Sequence, residues 1–144
     1  MSIQEQQETK EMYYSEAMRY MDNAKECLKK TEIDINTRLY KDRKYVRMAC
    51  GTAYSGVLIA LDCFLILKGI HAPNKKVRKS IEYYQNNIGK QDKKMLDILN
   101  EVYQILHLSG YYDGTKSVNV VKEGFNFAKI IIDKIKPEEL SGAM

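Results

Sequence analysis

The chain has 144 residues, 44% of them hydrophobic and 29% charged, with a formal net charge of +4. That length fits one domain with an independent core, and the composition is that of a globular protein rather than a disordered or fibrous one. The mild positive charge permits nucleic-acid or other anionic partners without demanding them.

The first periodic segment runs from about Thr9 to Lys30, with Tyr13, Ala17, Met21, Ala24 and Leu28 at helical spacing. Ser2 followed by Glu5 is a capping box that starts this helix earlier. Thr31 to Asp42, TEIDINTRLYKD, is an irregular connector, too long for a minimal turn and too charged for a core helix.

The second helix extends from about Arg43 to Lys68 and holds MACGTAYSGVLIALDCFLIL, Met48 to Leu67, whose only charge is Asp62. Length alone would let this run cross a bilayer. Its first half carries Gly51, Thr52, Tyr54, Ser55 and Gly56, and a carboxylate near a spanning helix's centre costs about 2.5–3.5 kcal/mol. Ala49, Ala53, Gly56, Ala60, Cys63 and Leu67 form a small-residue face, and Tyr54, Leu58, Leu61 and Leu65 a bulkier one. A helix apolar nearly all round, accompanied by other segments with matching stripes, is the buried centre of a bundle rather than a membrane span.

The third helix carries Val77, Ile81, Tyr84 and Ile88, with Pro73 and Asn74 at its entry. The fourth carries Met95, Leu99, Val102 and Leu106, and the fifth Val121, Phe125, Ala128, Ile132 and Ile135. Thr115 or Ser117 caps the fifth helix, Pro137 closes it, and residues 137–144 form a frayed tail. Gly69, Gly89 and Gly110 each stand where a left-handed residue ends a helix. No stretch alternates convincingly with period two. The expected fold is all-α: one domain, an up-and-down bundle of about five helices around one mostly apolar central helix.

Chemistry-bearing residues are few. Cys27, Cys50 and Cys63 are odd in number, lack a CxxC spacing and read as reduced cysteines of a cytoplasmic protein. The polar N-terminus shows no signal peptide. His71 and His107 are the only histidines and read as polar boundary residues, so neither a metal site nor a cofactor is expected, and no catalytic motif is present.

Three readings of Asp62 stand open: a solvent-facing edge, a structural pair with a cation such as Arg43 or Arg47, or a catalytic carboxylate. Arg38, Lys41, Arg43, Lys44 and Arg47, interleaved with Tyr40 and Tyr45, form either a solvated linker or a phosphate-binding patch with stacking rings. Lys75, Lys76, Arg78 and Lys79 open the third helix against its macrodipole. The pairs Tyr13-Tyr14, Tyr83-Tyr84 and Tyr111-Tyr112 are each expected to turn one ring inward and leave the other near the surface.

The order of an amphipathic first helix, a polar connector, RKYVRMACGTAYSGVLIALDCFLILKG, a helical hairpin and SVNVVKEGFNFAKIIIDKI resembles the HEPN superfamily (higher eukaryotes and prokaryotes nucleotide-binding), more narrowly its small Bacteroidetes members. The resemblance runs from about Tyr13 to Ile135. It implies an up-and-down bundle that commonly dimerises. Many members are ribonucleases with an Arg-x4–6-His motif near the last helix. Here every arginine lies at or before Arg78 and neither histidine follows one at that spacing, so no ribonuclease residue carries over.

The expected function is that of a non-catalytic interaction or accessory protein acting as a homodimer. Its surface lies beside Arg43, Arg47, Tyr54 and Asp62 and includes the Tyr112-Asp113 turn. The alternative is an RNA- or nucleotide-binding module using the basic Arg38–Arg47 patch, with Arg38, Lys41 and Lys44 as phosphate-binding candidates.

Overall fold

The computed structural model describes residues 1–70 and 79–138. Helix α1 spans Ile3–Leu28, and the Ser2 hydroxyl accepts from the Glu5 amide, so the capping box sets its start. Helix α2 spans Arg43–Leu67, with Asp42 as N-cap accepting from the Lys44 amide. Helices α3 (Ile81–Gln91) and α4 (Lys93–Val102) are separated by Asp92 alone, which ends one and caps the other through the Met95 amide. Helix α4 passes directly into a π-helical segment, Tyr103–Tyr112. Helix α5 spans Val118–Asp133, capped by Ser117 through the Val120 amide. The result is an all-α bundle with one tiny sheet.

The apolar α2 is the centre. It packs on α1, the π-helical segment, α5 and α3, and Val46, Ala49, Cys50, Ala53, Val57, Ala60, Leu61 and Cys63 are fully buried. Its small-residue face lets α1 come close. A Cβ on Gly56 would stand 3.1 Å from the Tyr20 Cβ and 3.2 Å from the Ala17 carbonyl oxygen. By length and hydropathy α2 could cross a membrane; in this fold the bundle's own helices take that apolar surface.

Four local expectations are corrected. The Thr31–Asp42 connector holds a hairpin, β1 (Ile33–Asp34) paired antiparallel with β2 (Leu39–Tyr40). Asp34 accepts from the Asn36 and Thr37 amides to form the turn. Tyr40 is buried, and β2 also bridges to Ser117 at the entry to α5. Two-residue strands are too short to show alternation, so the sequence hides them.

Gly69 is a true stop: its φ of +75° and the Ile70 amide bond to the Leu65 carbonyl close a Schellman turn. Gly89 lies inside α3 and Gly110 inside the π-helical segment, so neither ends a helix. Helix α3 starts at Ser80–Ile81; Pro73, Asn74 and Val77 lie outside the described residues, as do His71, Lys75, Lys76, Arg78 and residues 139–144. Tyr111 and Tyr112 are both exposed, and Tyr13 and Tyr14 are both half-buried; only Tyr83-Tyr84 divides as expected, with Tyr84 inward.

Candidate functional site

The site is assembled where the π-helical segment lies along α2. Gly110 sits where any Cβ would collide with the Sγ and Cβ of Cys50, so the Cys50 side chain packs directly on the Gly110 backbone. Across the same segment, a Cβ on Gly124 of α5 would come within 2.6 Å of Ile105 Cγ2. These contacts clamp one side of the segment. The i→i+5 bonding of a π-helix sets residues four or five apart nearly above one another, and the other side carries Tyr103, His107, Tyr111 and Tyr112.

His107 is the hub. Its ring stacks on Tyr103 at 5.1 Å and lies parallel to Tyr111 at 5.9 Å and 4°. Tyr54 of α2 faces it at 4.7 Å, and Tyr112 meets it edge-on at 5.0 Å. Burial lowers the His107 pKa from its ordinary 6.5, so at neutral pH the imidazole is uncharged and offers one donor and one acceptor. Burial, with the Tyr103 hydroxyl as a smaller influence, raises the Tyr54 phenol to about 12. The rings of Tyr54, His107, Tyr111 and Tyr112 border a groove of about 440 Å³. Gly51, Thr52 and Ser55 form its floor, Met48 and Tyr20 its walls. Gly51 is glycine because the Tyr111 ring passes 2.8 Å from where a Cβ would be.

A basic pair lies next to the Tyr112 edge of the groove. The turn after Tyr112 passes through Gly114 at φ +64°, and the side chains of Arg43 and Arg47 lie directly over that glycine. Among the described residues, neither guanidinium has a carboxylate within salt-bridge distance. The rest of the basic cluster is divided. Lys41 pairs with Glu32 at 3.0 Å, Arg38 reaches Asn119 Oδ1 at 3.4 Å, and Lys44 lies over the Tyr45 ring. Thus Arg38, Lys41 and Lys44 do not join Arg43 and Arg47 in one site.

Asp62 lies two turns beyond Tyr54 on α2. Its Oδ1 accepts from Lys79 Nζ at 3.1 Å and from the Tyr84 hydroxyl at 3.0 Å. The structural pair is therefore with Lys79; Arg43 and Arg47, at the far end of the helix, are not its partners. Burial and the Asp62 charge together hold the Tyr84 phenol protonated well above its ordinary range. A second hollow, lined by Tyr54, Leu58, Tyr103, His107 and Lys79, connects this pair to the ring cluster. Tyr54 and Tyr112 thus line one groove, Arg43 and Arg47 lie over Gly114 just past Tyr112 and Asp113, and Asp62 is held apart by Lys79 and Tyr84.

A comparison with protein-family models matches residues 12–137 to a domain of unknown function, DUF5618. The chain belongs to the DUF5618 family. A solved structure of a protein of unknown function from Dyadobacter fermentans resembles this DUF5618 chain with 42% identity and a TM-score of 0.75, covering 94% of this chain and 97% of that one. No curated protein matches it.

His107 is the residue that sequence reasoning missed. The signal was present: Tyr103, His107 and Tyr111 recur every four residues. It was obscured because Gly110 read as a helix stop. Among the described residues, no three His, Cys, Asp or Glu side chains gather in a metal-binding group. Burial raises the thiols of Cys50 and Cys63 to about 12 and about 11, which keeps them as unreactive thiols at neutral pH.

Proposed function

We propose that this DUF5618 protein is a non-catalytic interaction protein, an accessory module that works as a homodimer in the cytoplasm. The observation that carries this reading is the groove's rim: Met48, Tyr111 and Tyr112 are exposed beside Arg43 and Arg47. Methionine, tyrosine and arginine are the residue types enriched at protein interfaces and their hot spots. Protonated buried thiols and a His107 surrounded by rings rather than by a charged partner support recognition over covalent or acid–base chemistry. The free state of all three cysteines fits a reducing compartment. The helix order remains our basis for reading the bundle as HEPN-like.

Light scattering on the full chain tests the dimer. Twice the monomer mass at high micromolar concentration is expected, and a monomer there overturns the reading.

A second reading, RNA or nucleotide binding, is favoured by one observation: Arg43 and Arg47, which pair with no carboxylate among the described residues, lie over Gly114 next to a groove lined by aromatic rings. Stacking with phosphate contacts gives salt-dependent binding. An oligonucleotide that binds at low salt and is released by Arg43→Ala with Arg47→Ala supports it; no affinity at low salt removes it.

A further inference from the structure

We propose that a second copy of this chain docks antiparallel across the α1–α2 face and covers the groove together with the arginine pair beside it. This inference rests on the homodimer reading above and assigns its surface. Helix α1 and the residues before it carry a row at spacings of 4, 3, 4, 4 and 4: Met1, Glu5, Glu8, Met12, Glu16 and Tyr20. Met1, Glu5, Glu8 and Met12 line one shallow hollow. Met12 and Glu16 line the next, together with Ile59 of α2. Tyr20 lines the groove itself, with Met48, Thr52 and Ser55 of α2. Three adjoining hollows therefore trace one continuous face along the seam between the two helices.

The ends of this face are opposite in charge. The first twelve residues hold Glu5, Glu8 and Glu11 against Lys10, while Glu16, near the middle of the face, pairs with Arg19. The other end holds Arg43 and Arg47 in the opening turns of α2. Helices α1 and α2 run antiparallel: Tyr20 packs at Gly56, and Cys27 Sγ lies 3.6 Å from the Tyr45 carbonyl oxygen. The acidic start of α1 and the basic start of α2 therefore lie at opposite ends of the molecule. Exposed methionines accompany both charges, Met1 and Met12 at one end and Met48 at the other.

A twofold axis through the middle of the face, near Glu16 and Ile59, sets each acidic end on the partner's basic end. The contact forms twice, and the symmetry closes it at two copies, whereas a one-way head-to-tail contact would extend into a chain. The 26 residues of α1 span about 39 Å, and two helices side by side are about 20 Å wide, giving about 800 Å² per protomer. That matches the area of a standard stable interface.

Charge reversal in the full chain tests this, with light scattering as the readout and thermal melting as the folding control. Glu5→Lys with Glu8→Lys should raise the dimer dissociation constant about tenfold or more, and Arg43→Glu with Arg47→Glu should do the same. All four changes in one chain restore opposite charges across the twofold and should return the constant to within about threefold of the parent. Met12→Lys, a change at an exposed apolar residue of the shared row, should also dissociate the dimer. A dimer indifferent to both reversals overturns this face while leaving the homodimer reading intact, and a parent chain that is monomeric overturns both. Failure of the fourfold variant to restore the folded dimer overturns the antiparallel register.

Discussion

The two sides of the π-helical segment differ in what they require of the sequence. The inward side, Ile105, Leu106 and Gly110, is buried against α2 and α5 at distances that leave no space for an added atom. The outward side, Tyr103, His107, Tyr111 and Tyr112, presents rings to the groove and to the hollow beside it and is half-buried or exposed. The tight side fixes the segment's position, and the open side is thereby held in a defined arrangement without contributing much to stability. Rigid support behind an accessible surface is the arrangement recognition needs.

The contrast can be broken at its strongest point first. Leu106 is fully buried, so Leu106→Ala is expected to cost about 3 kcal/mol in urea unfolding, since the surrounding helices cannot collapse into the cavity. A loss of less than half that would mean the inward side is loosely packed.

Gly110→Ala adds one carbon where Cys50 already stands and is expected to cost about 2 kcal/mol by overpacking, despite alanine's better helix propensity. It should also alter the tyrosine near-ultraviolet signal, because the π-helical segment must move away from α2. An unchanged melting curve would show that the close approach is not needed.

The buried thiol gives the next effect. The Cys50 thiol has a pKa of about 12 in the fold against an ordinary 9.0. Above pH 9 the unfolded chain loses this proton while the folded chain keeps it. The associated stability is therefore full below pH 9 and falls as pH rises toward 12, by up to about 1.4 kcal/mol per pH unit. Cys50→Ala should make the alkaline part of the stability profile less steep. An identical slope in the variant would refute the assignment.

On the open side the expected effect is smallest. Tyr112 is 60% exposed, and Tyr112→Ala should change stability by no more than about 0.5 kcal/mol. A cost comparable to that of Leu106→Ala would erase the distinction between the two sides.

Much of the frame was legible because helical periodicity and caps are local signals. Ser2 and Ser117 cap where their spacing indicated, and the small face of α2 receives α1. Gly110 and Gly89 were read as stops because glycine at the end of a periodic stripe has two uses, a left-handed turn or a close helix approach, and sequence does not distinguish them. The hairpin was missed because two-residue strands are stabilised by a partner, here the chain around Ser117, that lies far along the sequence. The Arg43, Arg47, Tyr54 and Tyr112 grouping was legible in part, since residues three, four and seven apart share a helix face.

The sequence by itself determined the helices, the central place of α2 and which residues are too apolar or too charged to exchange places. Those follow from composition and spacing, which act within a few turns of chain. Only the tertiary structure decided that Asp62 pairs with Lys79 and Tyr84, that Gly110 serves a contact with Cys50, and that four tyrosines surround His107. Each of these depends on the distance between segments remote in sequence, which is set by how whole helices pack rather than by any local preference.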